Sequence, residues 1–151
     1  MSARKQQAFT IVELMLIVGI VSVLMAIGVP VYKSYIDRAS AGSASKDIFE
    51  ISITLDDYFL TKRRFPDSLD DIGYGDAEDP WGNAYQYLNI ATVQGSGRLR
   101  KDKNLVPINT DYDLYSMGPD GRSVGPLTAK ASRDDIIRAN DGAYVGRAED
   151  Y

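Results

Sequence analysis

The chain has 151 residues, carries 17 basic against 21 acidic side chains for a net charge of −4, and contains neither cysteine nor histidine. That length suffices for one compact domain, and the acidic balance gives no general electrostatic reason to hold nucleic acid. The missing residue types exclude disulfides, zinc sites built on Cys or His, and Ser-His-Asp or Cys-His nucleophiles.

A short basic stretch, residues 1–8 with Arg4 and Lys5, opens the chain. From Phe9 to Val31 the sequence is apolar except for Thr10, Glu13 and Ser22. This run is close to the roughly 20 residues that span a bilayer as a helix. The basic flank should stay cytoplasmic and place everything after Pro30 on the far side. A secretory signal would have a shorter apolar core and a small-residue cleavage site, which Tyr32-Lys33-Ser34-Tyr35 does not supply. A plain anchor accounts for the length but not for Glu13, because an acid at mid-helix costs about 2.5–3.5 kcal/mol on insertion scales and less near an end.

The stretch Ala8-Phe9-Thr10-Ile11-Val12-Glu13-Leu14-Met15 resembles the processing site of type IV pilins and type II secretion pseudopilins. The resemblance implies cleavage between Ala8 and Phe9 by a prepilin peptidase, which also methylates the new amine. Glu13 is then the fifth residue of the processed chain. Ala8 stands where the family usually has glycine, and Pro30 matches the proline that ends the family's apolar run. By this resemblance, the Phe9 amine of one subunit pairs with Glu13 of a neighbour, so that two buried charges satisfy each other.

Helical spacing continues beyond Pro30 through Ile36, Ile48, Ile51, Leu55, Tyr58 and Phe59, and Phe65-Pro66 stops it. A helix from about Phe9 to Lys62 would be roughly 80 Å long at 1.5 Å per residue, more than one small domain can bury. Gly19, Gly28 and Pro30 are its expected weak points. Residues 67–72 read as one or two helical turns capped by Asp67 and ended by Gly73. Asp79-Pro80-Trp81-Gly82-Asn83 and Gly118-Pro119-Asp120-Gly121 are turns. Residues 84–88, 111–116 and 143–146 read as strands, with a polar connection at roughly 91–110. The expected fold is α+β, a long N-terminal helix packed on a small antiparallel sheet. Its parts are a leader (1–8), a transmembrane and filament-core helix (9–31), and the second half of the helix with a globular domain (32–151).

The globular part is similar to the major pseudopilins of type II secretion, on the paired segments Asp79-Pro80-Trp81-Gly82-Asn83 and Tyr115-Ser116-Met117-Gly118-Pro119-Asp120-Gly121. With the N-terminal block, the resemblance spans most of residues 8–136. The basic loop around 95–105 and the tail after Ile136 depart from it. Asp120, Asp134 and Asp135 offer the hard oxygen ligands that Ca²⁺ requires. The resemblance implies a structural Ca²⁺ on Asp120 and Asp135, with Asp134 and the Met117 carbonyl as further ligands. The competing reading makes Asp120 an ordinary turn residue and Asp134-Asp135 the cap of a helix starting at Ile136. The cluster Arg98, Arg100, Lys101 and Lys103 lacks interleaved aromatics, so base stacking is not expected. It reads as a solvated loop, with a subunit contact as the next choice. The tyrosines read as packing residues and Trp81 as an anchor of its turn.

These features describe a major pseudopilin-like structural subunit and no enzyme. The implied partners are copies of itself, the prepilin peptidase/N-methyltransferase, an inner-membrane assembly platform and minor pseudopilins. The subunit would start in the inner membrane with its globular domain periplasmic, and then enter a periplasmic or extracellular filament. The first alternative is a surface type IV pilin or minor pilin serving adhesion, motility or DNA uptake. The second is a membrane-anchored enzyme or ligand-binding domain, for which few catalytic residue types remain.

Overall fold

The computed structural model describes residues 9–151, so the leader and Ala8 lie outside the described residues. One long helix, α1 (Ile11–Lys62), is followed by four short strands: β1 (Gln86–Asn89), β2 (Tyr112–Ser116), β3 (Ile136–Ala139) and β4 (Tyr144–Arg147). The strands pair in chain order as an antiparallel meander. The fold is α+β, as the sequence predicts. By its contacts the chain divides into residues up to Arg38 and a unit from Ala39 to Tyr151.

The first unit holds the apolar part of α1. Its large side chains from Phe9 to Ile36 are all solvent-exposed. Helical structure runs through Gly19, Gly28 and Pro30, and none of these weak points unwinds it. The stretch is long and apolar enough to cross a membrane.

In the second unit α1 becomes one-sided. Its buried residues are Ala44, Ile48, Ile51 and Leu55, spaced to form one stripe. The sequence stripe was drawn too wide: Ile36 and Phe59 are exposed, and Ala44 takes the deepest place at that end. The stripe packs on Leu69, Tyr85, Tyr112, Leu114 and Ile136. Strand alternation then fixes the two faces of the sheet. Tyr112 and Leu114 belong to the helix-side core, whereas Ile137 and Ala139 join Ile108, Leu127 and Ala148 in a second cluster. The sheet is therefore covered on both faces, and all four residues of β3 are buried.

Two expectations need correction. The turn after Pro66 is a 3-10 helix, Leu69–Ile72, whose N-cap is Ser68 and not Asp67. Asp71 accepts from the Ser68 amide at 3.3 Å, and Gly73, at φ +79°, closes the turn in a conformation glycine adopts without cost. No helix starts at Ile136, where β3 begins instead. Its backbone is claimed on both sides, by Tyr115 and Ser116 of β2 and by Gly146 and Arg147 of β4.

Candidate functional site

At the start of α1 the candidate assembly residues lie at the surface. Phe9 is 78% exposed. Glu13 accepts from the amide and the hydroxyl of Thr10, both at 2.8 Å, through Oε2. The Glu13 amide donates back to Thr10 Oγ1 at 3.2 Å. This reciprocal pattern is a capping box, which satisfies donors that a helix start leaves without partners. Within one chain, then, Thr10 is the partner of Glu13.

The two turn segments singled out in the sequence come together at Asp79. Its Oδ1 accepts from the amides of Trp81 at 3.0 Å and Asn83 at 2.9 Å. Its Oδ2 accepts from the hydroxyl of Ser116 in β2. Asn83 Nδ2 donates to the Gly118 carbonyl at 2.9 Å, and the Gly118 amide donates to Ser116 Oγ at 3.0 Å. One buried carboxylate thus ties the loop before β1 to the end of β2. Trp81 packs at the edge of the helix-side core.

The loop from Met117 to Asp135 joins β2 to β3. Gly118, at φ +64°, lies against its far end: a Cβ there would come within 2.4 Å of the Asp134 carbonyl oxygen and 3.2 Å of Asp134 Oδ2. Only glycine satisfies both the dihedral and the approach. Asp120 is exposed and accepts from the Arg122 amide at 2.8 Å, an ordinary Asx turn. Met117 and Asp134 are half-buried. Asp135 is fully buried. Among the described residues no three acidic side chains gather where they could hold a metal ion.

The partner of Asp135 comes from elsewhere. Arg100 Nη2 reaches Asp135 Oδ2 at 2.6 Å, with 4% and 0% of the two side chains exposed. Arg100 Nη1 donates to the Ser123 hydroxyl, which donates in turn to Asp135 Oδ2 at 2.6 Å. The guanidinium lies over the Tyr115 ring, 4.0 Å from its centre. The Arg100 amide donates to Asp113 Oδ2 at 3.1 Å. Burial pushes the Asp135 carboxyl up to about 6, against the opposing pull of Ser123 and Arg100. Burial likewise raises Asp113, against hydrogen bonds from Asn109 and the Arg100 amide.

The basic cluster is therefore not one surface. Arg98, Lys101 and Lys103 are exposed, but Arg100 is buried in the globular unit. The reading as a solvated loop fails at that residue. A second buried pair, Arg138 on Asp111 at 2.7 Å, stacks its guanidinium over Tyr112 at 4.0 Å. No local sequence signal marks either arginine as buried.

An exposed apolar helix that continues as the core stripe of a small antiparallel domain is the arrangement of a pilin-like filament subunit. The chain is 31% identical to the type II secretion system core protein G of Pseudomonas aeruginosa, over 83% of this chain and 92% of that protein. It is 28% identical to the protein of the same name from Aeromonas hydrophila, over 82% and 90% of the two chains. The type IV major pilin protein PilA of Myxococcus xanthus is 26% identical over 67% of this chain and 44% of its own length. No family model matches the chain, and no solved structure gives a significant match. The chain belongs to the type II secretion system core protein G family.

Proposed function

We propose that this chain is the structural subunit of a type II secretion pseudopilus, polymerising from the inner membrane into a filament that helps export folded proteins. The observation that carries this reading is the extent of the similarity. It covers 83% of this chain and 92% of the Pseudomonas relative. The paired turn segments that Asp79 joins support it, since their bonds fix the loop before β1 onto β2.

In this mechanism the residues act through assembly and not through a reaction. The basic leader stays cytoplasmic, and the globular unit lies in the periplasm. A prepilin peptidase cuts between Ala8 and Phe9, giving Phe9 a positive amine. Glu13 then exchanges its bonds to Thr10 for that amine on a neighbouring subunit, and the apolar side chains of residues 9–36 find their cover in the filament. An inner-membrane platform and minor pseudopilins start and guide this growth.

A deletion strain examined for secreted proteins and for surface filaments tests the reading. Loss of secretion with surface pili intact is the expected result. Loss of pili with normal secretion would instead make the chain a surface pilin, a reading that the similarity to the Myxococcus pilin favours, though over less than half of that protein.

A further inference from the structure

The β2–β3 loop is where the family resemblance leads one to expect a divalent cation, yet its donors do not fit one. A calcium ion takes six to eight oxygens, several of them carboxylate. Here Asp120 points to solvent and caps its own turn, the Asp134 carbonyl is pressed against Gly118, and Asp135 is committed through Oδ2 to a guanidinium. Three acids do not converge.

We propose that Arg100 serves this chain as a built-in cation, holding the β2–β3 loop through Asp135 in place of a bound calcium ion. A carboxylate as deeply buried as Asp135 requires a positive partner or several donors. Arg100 supplies the charge, a second hydrogen bond routed through Ser123, and a flat face that Tyr115 supports. The planar, permanently charged fork of arginine suits this role better than a lysine would.

The backbone directly after Arg100 is fastened to the same loop. The Lys101 amide donates to the Gly125 carbonyl at 3.0 Å, and the Leu127 amide donates to the Lys101 carbonyl at 2.9 Å. Ser132 closes the next stretch, accepting from the Val124 amide and donating to the Val124 carbonyl. The segment that departs from the family pattern in sequence is thus the segment that pins the loop. A divalent ion entering beside Asp135 would bring two positive charges against a guanidinium that is almost wholly buried. Two atoms of the pair, Asp135 Oδ1 and Arg100 Nε, are buried without partners. They show that the contact is made through one nitrogen and not as a full fork. Removing Arg100 therefore leaves an entire buried carboxylate without a cation.

That consequence gives the test, which does not depend on which filament the subunit serves. The full chain in detergent micelles is melted in millimolar Ca²⁺ and in chelator, followed by Trp81 fluorescence. The unaltered protein is expected to melt at the same temperature in both. Arg100→Met is expected to melt lower in chelator by about 10 °C or more. It is also expected to recover part of that loss in Ca²⁺, because a ligand that binds only the folded state raises its melting point. Should Arg100→Met not fold, Arg100→Lys keeps the charge and is expected to show a smaller loss. A rise of several degrees in Ca²⁺ for the unaltered protein, abolished by Asp120→Asn, would overturn the proposal. So would an Arg100→Met protein that melts like its parent.

Discussion

The two halves of α1 differ in composition and end in opposite environments. Between Phe9 and Ile36, isoleucine, leucine, valine and methionine face outward on every side. Between Ala44 and Leu55, four apolar residues on one stripe are buried and their neighbours are not. Hydrophobic content and periodicity together separate the two. A helix that is apolar all round has no face to turn to water and needs lipid or other subunits, whereas a striped helix completes a domain. The second half is finished within one chain, and the first is finished only by partners. Changes in the first should therefore abolish assembly and leave folding alone, and changes in the second should do the reverse.

The largest effect is expected from Glu13→Leu. It removes an acid that is outside the globular core, so the melting temperature should stay within experimental error of the parent. Filaments recovered by shearing from cells should fall at least about tenfold, because the neighbour's amine would lose its buried partner. Normal filament yield from Glu13→Leu would reduce Glu13 to its local bonds with Thr10 and remove the assembly role.

Next in size is a matched pair of truncations in the same helix. Leu55→Ala empties a fully buried site and should cost about 2–5 kcal/mol of unfolding free energy in denaturant titration. Leu24→Ala, at a position 64% exposed, should change it by less than about 0.5 kcal/mol. Equal costs at the two sites would erase the distinction between the halves.

Asp79→Ala probes the tie between the two turn segments. The amides of Trp81 and Asn83 and the hydroxyl of Ser116 would lose their acceptor together. The expected loss is about 2–3 kcal/mol, with a shift of Trp81 emission toward that of exposed indole. A stable variant with unchanged emission would mean that packing alone holds these segments.

Much of this was legible beforehand, and what was not has identifiable causes. The end of α1 at Lys62 agrees with the proline signal at Phe65-Pro66. β1, β2 and β4 fall within a few residues of the segments read as strands. β3 was missed since Ile136-Ile137-Arg138-Ala139 does not alternate. It is buried on both faces and presents a cation whose charge is satisfied by Asp111. Arg100 was missed for a related reason: in a run of basic residues nothing local tells the one that turns inward. Its partners, at positions 113, 123 and 135, are brought to it only by the folded sheet and loop. Glu13, by contrast, stands out as a charge in an otherwise uncharged run, and Phe9 follows from the resemblance at the processing site.

The smallest effect lies wholly within the globular unit and concerns Asp113. Burial raises its carboxyl above the ordinary value, which is about 3.9 in an unfolded chain. The folded state therefore keeps its proton at a pH where the unfolded chain has released it. Stability from this group is fully present below the unfolded value and declines as pH rises through the raised one. Asp113→Asn cannot titrate, so its stability should gain on that of the parent as pH climbs from about 4 through the weakly acidic range. The variant keeps an acceptor for only one of its two donors, Asn109 Nδ2 at 2.9 Å or the Arg100 amide at 3.1 Å. That loss shifts its curve without changing the sign of the difference in slope. Denaturant titrations of both proteins across this range measure the slopes directly. Parallel curves would mean that the Asn109 and Arg100 donors offset the burial of the charge, and that Asp113 is as settled when ionised as it is in water.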